Sequence, residues 1–128
     1  MSATPKDRKY SKTHEWFRVE GDVVTVGITR FAADELTDIT FVDLPPVGTR
    51  LTAGKPFGEI ESVKATSDLV SSVAGEVIEV NRRQAEEPEL VNHDSFGEGW
   101  MIKVRSSDLA GLETLMDADA YDRMLAQG

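Results

Sequence analysis

The chain has 128 residues, 40% of them hydrophobic and 29% charged, which predicts one soluble globular domain spanning 1–128. Fourteen Lys and Arg stand against 23 Asp and Glu, a net charge of −9 that argues against nucleic acid and anionic membranes and favours basic partner surfaces. With no cysteine, disulfides, thiolate metal sites, iron–sulfur clusters and a cysteine nucleophile are excluded, and no apolar run reaches the length of a membrane span.

The opening segment, Met1–Tyr10, is polar and lacks the apolar core of a signal peptide. Across residues 1–12, Lys6, Arg8, Lys9 and Lys12 against Asp7 give a local charge of +3, so residues 13–128 carry −12 and the acidity belongs to the folded body. Asp22–Ile28 predicts a strand with Val24, Val26 and Ile28 on one face. Thr29–Leu36 predicts a short helix capped by Thr29. Ile39–Leu44 is a second strand, stopped by Pro45-Pro46 and turned at Gly48. Phe57–Val63 reads as a strand with Ile60 inward and Glu59 and Glu61 outward. Asp68–Val73 and Glu76–Asn81 read as two more, joined across Ala74-Gly75. Between Arg82 and Glu98 the pattern lapses into a loop, with one helical turn near Glu87–Val91. Trp100–Arg105 alternates, with Trp100, Ile102 and Val104 opposite Met101, Lys103 and Arg105.

The period then changes. Ser106-Ser107-Asp108 starts a helix with a stripe of Leu109, Leu112, Leu115 and Met116, and Asp117 caps a last helix carrying Tyr121, Met124 and Leu125. These elements predict a mainly β core over about 10–105, a sandwich or barrel of short strands, with C-terminal helices over about 106–126. Leu51–Val63 and Asp68–Val80 are weakly self-similar about Lys64–Ala65, which places that turn at a hairpin tip.

The common enzyme constellations are missing: there is no nucleophile elbow, no Walker loop and no G-x-G-x-x-G. His14 and His93 stand apart, and no metal-ligand spacing emerges. The informative stretch is Gly58–Gly75, GEIESVKATSDLVSSVAG. Lys64 sits alone at the expected turn, with Glu59, Glu61 and Asp68 nearby and small residues Ser62, Ala65 and Thr66 around it. One reading is a surface lysine neutralising acidic neighbours. The other is a covalent attachment point, since a long stem ending in a primary amine suits amide linkage to a carboxylic-acid cofactor.

At these residues the sequence resembles the glycine cleavage system H proteins, lipoyl carriers. The matching pieces are YSKTHEW at 10–16, VGIT at 26–29, FVDLP at 41–45, ESVKA at 61–65, GEV at 75–77, PELVN at 88–92 and GEGW at 97–100. Biotin carriers have methionines beside the lysine, where this chain has Val63 and Ala65.

The resemblance implies a barrel-sandwich hybrid of the lipoyl/biotinyl-domain type and lipoic acid amide-linked at Lys64. It implies recognition of Glu61, Val63 and Ala65 by a lipoate–protein ligase or lipoyl/octanoyl transferase. It also implies a non-catalytic role. The aminomethyl group of glycine would pass from a pyridoxal-phosphate glycine decarboxylase (P protein) to a tetrahydrofolate-dependent aminomethyltransferase (T protein). Dihydrolipoamide dehydrogenase (L protein) would reoxidise the arm. Thr13, Glu15 and Asp68 are the residues it points to for docking the loaded, cationic arm. Strand alternation through His14-Glu15-Trp16 would put His14 and Trp16 on one face, in packing roles, and Glu15 on the other.

Some positions depart from the family pattern. Thr37-Asp38 stands for Gly-Asp, so the preceding helix is expected to end without a left-handed cap. Val73 stands for the proline before Gly75. Ala85 replaces a common leucine, and Asp94-Ser95-Phe96-Gly97 replaces Asp-Pro-Tyr-Gly. A lipoyl or octanoyl relay protein and a non-lipoylated interaction module are the alternative readings. The expected compartment is bacterial cytoplasm, or mitochondria for a mature eukaryotic form, and the expected state is a monomer.

Overall fold

The computed structural model describes residues 4–106 and 109–127. Nine strands run in the order β1 (Lys9–Tyr10), β2 (Glu15–Glu20), β3 (Val23–Ile28), β4 (Ile39–Asp43), β5 (Arg50–Leu51), β6 (Pro56–Ser62), β7 (Thr66–Val70), β8 (Gly75–Val80) and β9 (Ile102–Arg105). Helices α1 (Arg30–Leu36), α2 (Arg83–Glu86), α3 (Leu90–His93) and α4 (Ala118–Gln127) are interspersed. A six-stranded sheet has the order β1-β2-β3-β9-β8-β5, and a three-stranded sheet the order β4-β6-β7, with antiparallel pairing throughout. The fold is the expected mainly β one, with a helix at the C-terminal end of the described chain.

The main core lies between the sheets. Val24, Val26, Ile60, Leu69, Val77, Ile102 and Val104 all lie within it at no more than 1% exposure, and the alternation of their strands delivers them there. β2 is different because both its sides are covered. Phe17 enters the main core, while Trp16 joins Tyr10, Ala118 and Tyr121 in a second cluster beneath α4. Trp16 lies across Gly27, where an added Cβ would stand 2.6 Å from the indole ring. Only a residue without a side chain leaves room for that ring.

Several boundaries differ from the sequence expectations. β7 ends at Val70, because the Ser71 side chain donates to the Val73 carbonyl at 2.8 Å and accepts the Val73 N–H at 3.2 Å, closing a local turn. β7 and β8 do not pair across Ala74-Gly75; the chain crosses there from the small sheet to the large one. The single turn expected near Glu87–Val91 is two short helices, α2 and α3. Met101, expected on the same face as Lys103 and Arg105, is fully buried, unlike either, with its N–H bonded to the Val26 carbonyl at 2.9 Å.

Of the expected helix start, Ser107 and Asp108 lie outside the described residues. The stripe after them forms one 3-10 turn, Ala110–Leu112, and the Met116 backbone pairs with Tyr10 instead of continuing a helix. Asp117 does cap α4, accepting the Ala120 N–H at 2.8 Å.

Thr37 overturns the expectation for α1. It takes φ 62° and ψ −140°, with its N–H returned to Ala33 and Asp34. Asn92 fixes this corner from α3, donating to the Thr37 carbonyl at 2.7 Å and accepting the Ile39 N–H at 2.9 Å.

Candidate functional site

β6 and β7 form a hairpin whose last strand pair is Glu61–Thr66. The pairing nests around Lys64, since β5 and β8 pair outside β6 and β7, as the weak internal symmetry of the sequence suggested. The tip is held by its own polar groups. The Ser62 N–H donates to the Ala65 carbonyl at 2.8 Å. The Ser62 hydroxyl accepts the N–H of Lys64 at 3.2 Å and of Ala65 at 3.1 Å. The Val63 N–H donates to the Asp38 carbonyl at 3.1 Å, tying the tip to the corner that Asn92 braces. The backbone is therefore fixed while the side chains of Lys64 and Ala65 are exposed and Val63 is 68% exposed. Among the described residues, no carboxylate lies within ion-pair distance of the Lys64 amine.

Sequence reasoning treated Ser62 only as small; its hydroxyl is the fastener of the turn. The signal was available, since serine beside a predicted turn commonly bonds backbone N–H groups two or three residues on.

The outward faces of the small sheet carry two cross-strand rows. Asp43, Glu59 and Asp68 form one; Phe41, Glu61 and Thr66 form the next, toward the tip. All six are exposed. Like charges directly opposite oppose pairing, so the strongly negative face around Lys64 is maintained against a local cost. Phe41 and Asp43 were missed as members of this face because register between β4 and β6 is not readable from either strand alone.

Glu15 is not an exposed acid. It is 1% exposed and accepts the Ser11 hydroxyl at 2.7 Å, the Thr13 hydroxyl, and the Val70 N–H at 3.1 Å. It thus joins the segment before β2 to the end of β7. Burial pushes its carboxyl pKa up from the ordinary value, against the opposing hydrogen bonds from Thr13, Ser11 and the Val70 N–H. Asp68, two residues before Val70 on the same strand, is exposed. Thr13, Glu15 and the β7 segment carrying Asp68 are therefore brought together; Lys64, Glu61, Val63 and Ala65 lie at the far end of the hairpin.

His14 does not continue β2, having φ 72°. Its Nδ1 lies 2.7 Å from the Tyr121 hydroxyl, which also lies 2.7 Å from the Thr29 hydroxyl, and its ring rests on Phe31. Burial lowers its pKa. These contacts are packing contacts for α4. Trp16 likewise donates its indole N–H to the Ser95 carbonyl at 3.0 Å. Phe96 keeps an edge-on ring contact with Tyr10. His93 is exposed on α3. Among the described residues, no group of three or more His, Asp or Glu is placed to hold a metal ion, and no helix is long and apolar enough to cross a membrane.

Residues 8–128 match the family model described as glycine cleavage H-protein. The chain is 50% identical over 128 residues to the glycine cleavage system H protein of Symbiobacterium thermophilum, covering 100% of both chains. It is 50% identical over 127 residues to that of Carboxydothermus hydrogenoformans, covering 99% of this chain and 98% of the relative. A crystal structure of a glycine cleavage system H protein from Mycobacterium marinum superposes with a TM-score of 0.88 at 36% identity, over 95% of this chain and 98% of the other.

Proposed function

The chain belongs to the glycine cleavage H-protein family, and from that premise we propose that it is the lipoyl-bearing carrier of the glycine cleavage system. The observation that carries the reading is Lys64: an exposed amine, free of ion pairs with described residues, on a backbone turn held by Ser62 and Asp38. The donor chemistry fits lipoic acid, because an unpaired primary amine on a four-carbon stem forms an amide with a carboxylic acid and extends its reach. When bound, the lipoyl group supplies the disulfide that accepts the aminomethyl unit and is recovered as a dithiol.

The remaining work falls to the protein. The fixed turn presents Lys64 in one orientation to a lipoate–protein ligase or lipoyl/octanoyl transferase. Exposed Glu61, Val63 and Ala65 are the side chains such an enzyme meets first. The acidic rows on β4, β6 and β7 favour encounter with basic surfaces, here assigned to the P, T and L proteins. A cationic cargo is received by Asp68 and Glu15. Asp68 is open to it, whereas Glu15 must give up the Thr13 hydroxyl to make room. In this reading its part is that of a carrier subunit, which its membership of the glycine cleavage H-protein family supports. The relay and interaction-module readings are not favoured, because both relatives described above carry the glycine cleavage name.

Reconstitution with the P, T and L proteins tests this. Lipoylated wild type is expected to support glycine-dependent reduction of NAD, and Lys64→Arg to support none while folding normally. Retained turnover by Lys64→Arg would remove Lys64 from the carrier role.

A further inference from the structure

The Lys64 turn has two kinds of support. Its internal shape comes from Ser62, whose hydroxyl accepts the N–H of Lys64 and of Ala65. Its direction relative to the body comes from the start of β4. There Ile39 stands opposite Ser62 in the β4–β6 ladder, and the Val63 N–H donates to the Asp38 carbonyl at 3.1 Å. Val63 precedes Lys64, so the Asp38 carbonyl is the body's hold beside the lysine.

That carbonyl shares a peptide group with the Ile39 N–H. The peptide is trans, so the two groups point in opposite directions. The carbonyl meets Val63, and the N–H donates to Asn92 Oδ1 at 2.9 Å. The preceding peptide group is held as well, since Asn92 Nδ2 donates to the Thr37 carbonyl at 2.7 Å. One carboxamide thus clamps the two successive peptide groups that flank Asp38, and an acceptor on one side with a donor on the other fixes its orientation. The clamp has a firm base, because the adjacent Val91 is fully buried in the main core. It also works against strain. Thr37 has φ 62° and ψ −140°, a region that glycine enters freely and a β-branched residue does not. Relaxation of Thr37 toward an ordinary conformation turns the first peptide group, carries the second with it and takes the Asp38 carbonyl away from Val63. A glycine at 37 would hold this corner unaided; threonine makes the corner depend on Asn92.

We propose that Asn92 is a positioning residue for the attachment of lipoic acid: by clamping the peptide groups around Asp38 it sets the direction in which the turn presents Lys64 to the attaching enzyme. The proposal rests on the carrier reading given above. Asn92 bonds neither Lys64 nor any other residue of the turn, so it acts through Asp38. Small errors of placement at a reacting group are costly to rate, which is why a contact this far from the amine matters.

The test compares wild type, Asn92→Ala, Thr37→Gly and the double variant, each as the full chain and well below its denaturation midpoint. Two quantities are read. One is kcat/KM of a lipoate–protein ligase for the unmodified acceptor, with lipoate and ATP. The other is the exchange rate of the Val63 amide relative to that of Met101, whose N–H is bonded to Val26 in the main core. A loss of global stability alone does not raise that ratio. Asn92→Ala is expected to raise the ratio and lower kcat/KM, each by about tenfold. Thr37→Gly alone is expected to match wild type, and in the double variant to bring both quantities back to within about threefold of it. Should Asn92→Ala fail to fold, Asn92→Asp, which keeps the acceptor for the Ile39 N–H and loses the donor to Thr37, is read in the same way. Wild-type kcat/KM in Asn92→Ala, a fall in kcat/KM with no rise in the exchange ratio, or a double variant no better than Asn92→Ala would each overturn the proposal. No lipoyl increment on wild type itself is the separate failure of the carrier reading, and this proposal falls with it.

Discussion

Thr37 carries backbone strain that a glycine would not. Its φ of 62° with ψ of −140° falls in a region suited to glycine, and a β-branched side chain there costs on the order of 1–3 kcal/mol. The sequence suggested that α1 would end differently because threonine disfavours such a conformation. The reason it does not is Asn92, 55 residues away, whose side chain holds both the Thr37 carbonyl and the Ile39 N–H. Thr37→Gly is therefore expected to stabilise the fold by about 1 kcal/mol, seen as a higher denaturation midpoint with unchanged slope. A lower midpoint would mean that the corner is not strained.

Glu15 was legible as a site residue by resemblance, yet its burial was not. Nothing local in a Thr-His-Glu-Trp run announces that a strand from the other sheet will close over the carboxylate. Because burial raises its pKa, the native state holds the proton to higher pH than the unfolded chain does. The stability it contributes is full below the unfolded carboxyl value and is lost as pH rises through the raised native one. Glutamine has no such proton to lose. The stability of Glu15→Gln relative to wild type should thus rise across that window and level off above it, in denaturant titrations at stepped pH. A difference independent of pH would contradict a raised native pKa.

At the scale of elements, strands with one buried face were readable and strands with unusual coverage were not. β3, β4, β6, β8 and β9 alternate and were placed within a few residues. β1 and β5 are two residues each, too short for any period. β2 breaks the pattern because Glu15, Trp16 and Phe17 are all buried, with Trp16 and Phe17 under different cores. The expected helix after Ser106 failed where the Met116 backbone is recruited by Tyr10, a contact between opposite ends of the chain.

The closeness of β4 and β6 rests on Gly58. A Cβ there would stand 2.1 Å from the Asp43 carbonyl oxygen, a backbone atom that cannot swing aside. Gly58→Ala should force the two strands apart and cost about 3 kcal/mol, with faster amide exchange along Phe41–Asp43. A variant as stable as wild type would mean the strands tolerate separation, and the acidic rows would not depend on their register.

For the whole molecule, the two cores divide the work. The main core fixes the sheets and the hairpin; the second, around Trp16 and Tyr121, seats α4 over the start of the chain. The charge pattern was legible in outline, since the excess of acid was correctly placed on the body, but the alignment of Asp43, Glu59 and Asp68 into one row required the register. These features converge on Lys64 as a lone amine on a rigid turn within an acidic face. The most direct measurement is the intact mass of wild type and Lys64→Arg after incubation with lipoate, ATP and a lipoate–protein ligase. The account predicts a single lipoyl increment on wild type and none on the variant. No increment on folded wild type, or the same increment on both, would contradict it.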